Sequence, residues 1–115
     1  MNAALPKSDN LVQRIRDYLA AADLHVANEG ALVALLGAPA RTIQHRLHQD
    51  NTNWQTLKRE ERQRRLQVLL ATPGRIHSEH LMEKLGYTDD TSFFRFFRQA
   101  QGETFTDWRM RRQAE

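Results

Sequence analysis

What most constrains this chain is that part of it occurs twice. Leu32-x-x-x-Leu36-Gly37 is echoed 49 residues later by Leu81-x-x-x-Leu85-Gly86, and Ile43-x-x-x-Leu47 is echoed 50 residues later by Phe93-x-x-x-Phe97. Apolar residues four apart share one face of a helix, and a glycine directly after such a pair is the usual left-handed stop. Each copy therefore reads helix, glycine turn, helix, with the second turn one residue longer than the first. That is the plan of a helix-turn-helix unit, in which the second helix faces outward to read DNA. A single copy would be weak evidence, because short apolar helices separated by glycine are common. Two copies in 115 residues restrict the chain to an all-α repeat architecture.

The stretches around the copies extend the pattern. Ser8 or Asp9 is placed to cap a first helix carrying Leu11, Val12, Ile15, Leu19 and Ala22 at helical spacing. A second helix fits Glu29–Leu36, capped by Asn28 and ended by Gly37, and Pro39 suits the first position of a third helix. Asn51 is a plausible left-handed terminator for that helix. Thr52 with Gln55 makes a capping-box pattern that opens a long fourth helix. Its middle, Lys58–Arg65, is polar all round and reads as a bridge between two packed bodies, and Thr72-Pro73-Gly74 stops it. Further helices fit Ser78–Leu85, Thr91–Gln101 and a stretch from Thr104 that carries Trp108. The expectation is about seven helices in two helix-turn-helix subdomains joined by a linker helix. Residues 1–8 form a loose leader, 9–51 the first subdomain, 52–72 the linker and 73–115 the second subdomain.

Composition narrows the function. The chain has no cysteine, which removes disulfides, thiol nucleophiles and thiolate metal sites. No apolar run approaches the length needed to span a bilayer and no signal peptide opens the chain, so a cytoplasmic location is expected. The net charge is only +3. It is concentrated, however, in residues 41–75, which sum to +5, while residues 1–40 and 76–115 each sum to −1. Fourteen of the seventeen basic residues are arginine, whose planar fork suits phosphates and base edges.

With Ile43 and Leu47 buried, the third helix turns Ala40, Arg41, Gln44, His45 and His48 outward. With Phe93 and Phe97 buried, the sixth turns out Thr91, Phe94, Arg95 and Arg98. Arginine pairs with guanine and glutamine with adenine in bidentate fashion, and phenylalanine meets the thymine methyl group. At this point the chain resembles the DNA-binding domain of the AraC/XylS family of bacterial transcription regulators. GAPARTIQHRLHQDNTNWQTL is similar to the first family module. LGYTDDTSFFRFFRQAQGETFTDWR is similar to the second, matching at Gly86, Tyr87, Ser92, Phe93, Arg95, Phe97, Arg98, Gly102, Trp108 and Arg109. The chain departs from the family pattern at Val33, Met82, Pro39, Phe94, Phe96 and Phe105.

The resemblance covers roughly residues 11–112 and implies base-contacting positions at Arg41, Gln44 and His45, and at Asp90, Thr91, Phe94 and Arg95. An acidic residue just before a helix is more often a cap than a cytosine reader, so Asp90 is also a cap candidate. Arg46 and Arg98 are phosphate candidates. The resemblance further implies double-stranded DNA as partner, RNA polymerase as a second, activator function, no cofactor, and an effector-binding and dimerisation domain outside this chain. Two rivals follow from the residues alone. The pairs His45/His48 and His77/His80 have spacing that could place two imidazoles on one metal of an enzyme, but no carboxylate pattern supports them. A helical protein-interaction module binding an acidic partner is the other. Thr52–Thr72 would span about 30 Å as a helix, close to the ~34 Å between successive major grooves. One chain could therefore set both reading helices in adjacent grooves.

Overall fold

The computed structural model describes residues 8–114, except the side chains of residues 8, 9 and 114. Within them are seven helices and no strand: α1 (Ser8–Ala21), α2 (Glu29–Leu36), α3 (Ala40–Gln49), α4 (Trp54–Leu70), α5 (Ser78–Leu85), α6 (Asp90–Gln101) and α7 (Phe105–Ala114). The fold is all-α, as expected. Ser8 opens α1 instead of closing the leader; the rest of the leader, and the cap expected of Ser8 or Asp9, lie outside what is described.

Two compact units divide the chain inside α4, unit 1 running to Arg62 and unit 2 starting at Gln63. Each has its own core. In unit 1, α3 packs against α1 and α2. Leu11, Ile15 and Leu19 of α1, Leu32 and Leu36 of α2, Ile43 and Leu47 of α3, and Trp54 and Leu57 of α4 are all buried together. Each such side chain contributes about 1.5–3 kcal/mol by leaving water. In unit 2 the core is built on rings: Phe93, Phe96, Phe97, Phe105 and Trp108 join Leu66, Leu70, Ile76, Leu81, Met82 and Leu85. Phe97 sits among three of them, with ring centroids 6.2 Å from Phe93, 5.4 Å from Phe105 and 5.9 Å from Trp108. Edge-to-face pairs of this kind add to what burial alone supplies.

Local chemistry sets the boundaries. The Asn28 side chain accepts from the Ala31 N–H at 2.8 Å and opens α2, and Gly37 (φ 66°) closes it. Gly86 (φ 80°) closes α5 in the same way. Several start signals fall one or two residues from where the sequence put them. Asn53, not Thr52, caps α4, its side chain accepting from the Thr56 N–H at 2.8 Å. Asn beats Thr as a cap, and the next residue, Trp54, is already in the core. Asp89 caps α6, so Asp90 is its first residue. Pro39 is the N-cap of α3, in extended conformation, and not its first turn. Thr104 caps α7, accepting from the Asp107 N–H at 3.1 Å.

The middle of α4 departs from the all-polar reading. Glu61 is 8% exposed, and Lys58, Arg62 and Arg65 are half-buried on the same side. A helix of alternating charges still has a buried stripe when its turns continue the line set by Leu57 and Leu66. Lys58 is tied down as well. It donates to the Ala27 carbonyl at 2.6 Å and lies over the Trp54 ring, and burial together with nearby Arg62 pushes its ammonium below the ordinary lysine value.

The repeat runs further than the sequence pattern suggested. Asn51 (φ 57°) and Gly102 (φ 76°), 51 residues apart, both stand in the left-handed region just after the second helix of each pair. At the same offset Trp54 and Leu57 match Phe105 and Trp108, all buried. Lys58 and Arg109 also match, each with its cation over the ring four residues earlier, Trp54 and Phe105, at 6.0 Å and 5.5 Å from the centroid. Each unit thus holds a helix pair, backed by α1 or by the end of α4, and closed by a further helix that wedges in two large apolar side chains.

Candidate nucleic-acid interface

The α2 and α5 helices are nearly all core on one face, so each glycine turn hands the chain to a second helix with only one side committed. On α3, Ile43 and Leu47 are buried, while Arg41, Thr42, Gln44, His45 and His48 are exposed and line one shallow depression of about 540 Å³. The three base-reading candidates of the first copy are therefore brought together. Thr42 and His48 join them; the sequence reading assigned neither, although His48 was among the outward positions. Two of the five are already engaged. Gln44 Nε2 donates to Glu29 Oε2 at 2.7 Å, and His45 Nε2 lies 3.3 Å from Gln49 Nε2. Arg46 is half-buried and lies outside the depression, a phosphate candidate with part of its side chain already committed to the fold.

On α6, burial takes Phe93, Phe96 and Phe97, which leaves Thr91, Phe94, Arg95 and Arg98 exposed. Phe94, Arg95 and Arg98 line a second depression of about 470 Å³, whose other wall is Thr104, Phe105 and Thr106 from the start of α7. The two threonines were not anticipated. The signal was present in the left-handed Gly102, which turns the chain back so that the first turn of α7 lies beside α6. Phe94 is 40% exposed, and its inner edge rests against Phe93 and Phe105 at centroid distances of 5.2 Å and 6.2 Å. It is fixed from below and open above.

Asp90 and Thr91 are exposed at the beginning of α6, outside that depression. Capping belongs to Asp89 instead: its Oδ2 accepts from the Ser92 hydroxyl at 2.7 Å and the Ser92 N–H at 2.8 Å. Those hydrogen bonds, helped by the Thr91 N–H and the charge of Arg95, hold the Asp89 carboxyl below its ordinary value. Asp90 is thereby left without the capping duty that the sequence could have given it.

The remaining arginines divide between structure and surface. Arg112 donates to the carbonyls of Leu70, Thr72 and Gly74 and lies 5.2 Å from the Trp108 ring centroid, closing the C-terminal end of α4. Arg111 pairs with Glu103 at 2.9 Å. Among the described residues no three His, Asp or Glu side chains are gathered closely enough to hold a metal ion, and no helix is long and apolar enough to cross a membrane. Arg75, Arg109 and Arg112 line a further depression and Arg64 and Arg65 another, but the faces of α3 and α6 are the two that lie on the second helix of a pair. No protein-family model, curated protein or solved structure matches the chain.

Proposed function

We propose that this chain is a sequence-specific DNA-binding domain of the AraC/XylS type, with α3 and α6 as reading helices and α4 as the linker between two helix-turn-helix units. One observation carries the reading: the same helix, left-handed glycine, helix sequence occurs twice, and both times the second helix presents arginine beside a residue suited to a base edge. In unit 1 the set is Arg41, Gln44 and His45. In unit 2 it is Phe94 and Arg95, with Thr91 at the helix start and Asp90 as the less favoured member. Arg46 and Arg98 contribute phosphate contacts. Arginine to guanine, glutamine to adenine and phenylalanine to a thymine methyl group together read a mixed sequence in the major groove.

In this reading the domain acts on the chromosome in the cytoplasm, as an activator that meets RNA polymerase, and an effector-binding domain completes the regulator. The two reading helices enter adjacent major grooves of one duplex. The α4 helix, Trp54–Leu70, has 17 residues and spans about 25 Å at 1.5 Å per residue, shorter than the ~30 Å expected of Thr52–Thr72, because Asn53 caps it and it ends at Leu70. One alanine inserted between Gln63 and Arg64, both exposed, turns everything beyond it by about 100°. Circular dichroism should show the insertion variant still helical, while a footprint shows the specific two-groove complex lost. A folded insertion variant that protects both grooves would refute the phasing. A charge-led interface also predicts salt dependence, with affinity for duplex DNA falling steeply between about 50 and 200 mM salt if several phosphates are neutralised. Binding unaffected by salt over that range would count against any nucleic-acid role, while salt-dependent, sequence-selective binding to DNA would exclude a module for an acidic protein partner.

A further inference from the structure

Gln44, a base-reading candidate on α3, has its side-chain amide held by a side chain from another helix. Its Nε2 donates to Oε2 of Glu29, 15 residues earlier, at 2.7 Å. We propose that Glu29 is a positioning residue that sets the base preference of Gln44; the inference rests on the DNA-binding reading above. A carboxylate has only acceptors, so the amide nitrogen must face it, because the flipped amide would set oxygen against oxygen. The acceptor is charged and the bond correspondingly strong. The amide nitrogen carries two hydrogens. With one given to Glu29, the other still stands beside Oε1, and that donor–acceptor edge is complementary to N7 and the 6-amino group of adenine.

Glu29 is well placed for this task. It is half-buried in the first turn of α2, directly after the Asn28 cap, where the helix dipole favours a negative charge. An unbraced glutamine samples several rotamers and both amide orientations, and must give them up on binding. The braced side chain has already done so, which is what preorganisation contributes to specificity. The architecture itself does not demand the contact. At the matching places of the second copy stand Ser78 and Phe94, which have no such bond to make, and there the outward residue is fixed by ring packing.

The test is the base preference of four proteins measured against single-base variants of the wild-type site: wild type, Glu29→Ala, Gln44→Ala and the double variant. Adenine preference at one position should fall about tenfold in Gln44→Ala, the change expected when about 1.4 kcal/mol of discrimination is lost. Glu29→Ala should lose several-fold at that same position and nowhere else, with the salt slope nearly unchanged and thermal stability lowered only slightly by loss of the charge at the start of α2, and the double variant should resemble Gln44→Ala. Glu29→Gln keeps an acceptor oxygen and should recover part of the preference. Unchanged preference in Glu29→Ala, beside a wild type that does discriminate through Gln44, overturns the role of Glu29 alone. Uniformly tighter binding of Glu29→Ala to all sequences also overturns it, by showing that Glu29 merely repels phosphate. A wild type that discriminates between no sequences removes the DNA-binding reading itself, and this inference with it.

Discussion

In unit 1 the outward helix α3 is seated by two aliphatic side chains, Ile43 and Leu47, while in unit 2 its counterpart α6 is seated by three phenylalanines, Phe93, Phe96 and Phe97. Their exposed faces differ in the same sense. Gln44 is held by a hydrogen bond to Glu29, whereas Phe94, at the matching place, is held by two rings. Their starts differ too: α3 opens at Pro39 with no side-chain cap, and α6 opens at Asp89 with a carboxylate on its first turn. One backbone plan thus accommodates two chemistries. The first presents hydrogen-bonding groups and a helix start with no side-chain cap, and the second presents an apolar ring flanked by arginine. If the proposed function holds, the two units should read different sequences for different reasons.

The largest effect should come from the cores. Phe97→Ala removes a fully buried ring that touches three others and should cost about 3–5 kcal/mol, against about 2–5 kcal/mol for Leu47→Ala at the matching place. Denaturant unfolding of both variants measures the difference. Ring–ring contacts predict that Phe97→Ala is the more damaging, and the reverse order would mean that the aromatic network adds nothing beyond buried area. Next come the reading faces. Arg41→Ala and Arg95→Ala should each cost about 1–3 kcal/mol on a specific site and relax preference at one or two base pairs, not the same ones. Uniform weakening across all sequences would make that arginine a phosphate anchor.

The smallest effect concerns the caps. Hydrogen bonds from Ser92 lower the Asp89 carboxyl below its unfolded value, so the stabilisation is present above the ordinary aspartate range, about pH 4, and fades as pH falls below it. Asp89 is fully exposed, so the contribution is screened and small. Asp89→Asn retains a capping oxygen and should flatten the acid limb of a melting-temperature profile while leaving the neutral region nearly unchanged. A wild-type profile no steeper in acid than that of Asp89→Asn would show that the cap does not depend on the carboxylate's charge. The matching start of α3 has no counterpart to this effect, since Pro39 does not titrate.

The helices were legible because apolar spacing and glycine stops are local signals. Leu32, Leu36 and Gly37, with their partners at 81, 85 and 86, define the first helix of each pair without tertiary information. Starts were less legible, since Thr52 and Asn53, or Asp89 and Asp90, are adjacent residues of similar capping ability, and packing of the next side chain decides between them. Glu61 was misread because a charged residue hides its burial from any polarity pattern. On the faces, Arg41, Gln44 and His45 followed from helical periodicity alone. The Glu29 contact and the Thr104–Thr106 wall did not, because each depends on how one helix lies beside another.

The central claim, two unlike reading faces on one chain, is tested most directly by selecting bound sequences from a random duplex pool with the wild type, Arg41→Ala and Arg95→Ala. The wild type should enrich a site with two blocks centred about one helical turn, 10–10.5 base pairs, apart. Arg41→Ala should blur one block and Arg95→Ala the other. A single enriched block, or two substitutions that blur the same block, would contradict the account, as would a wild type that enriches no sequence at all.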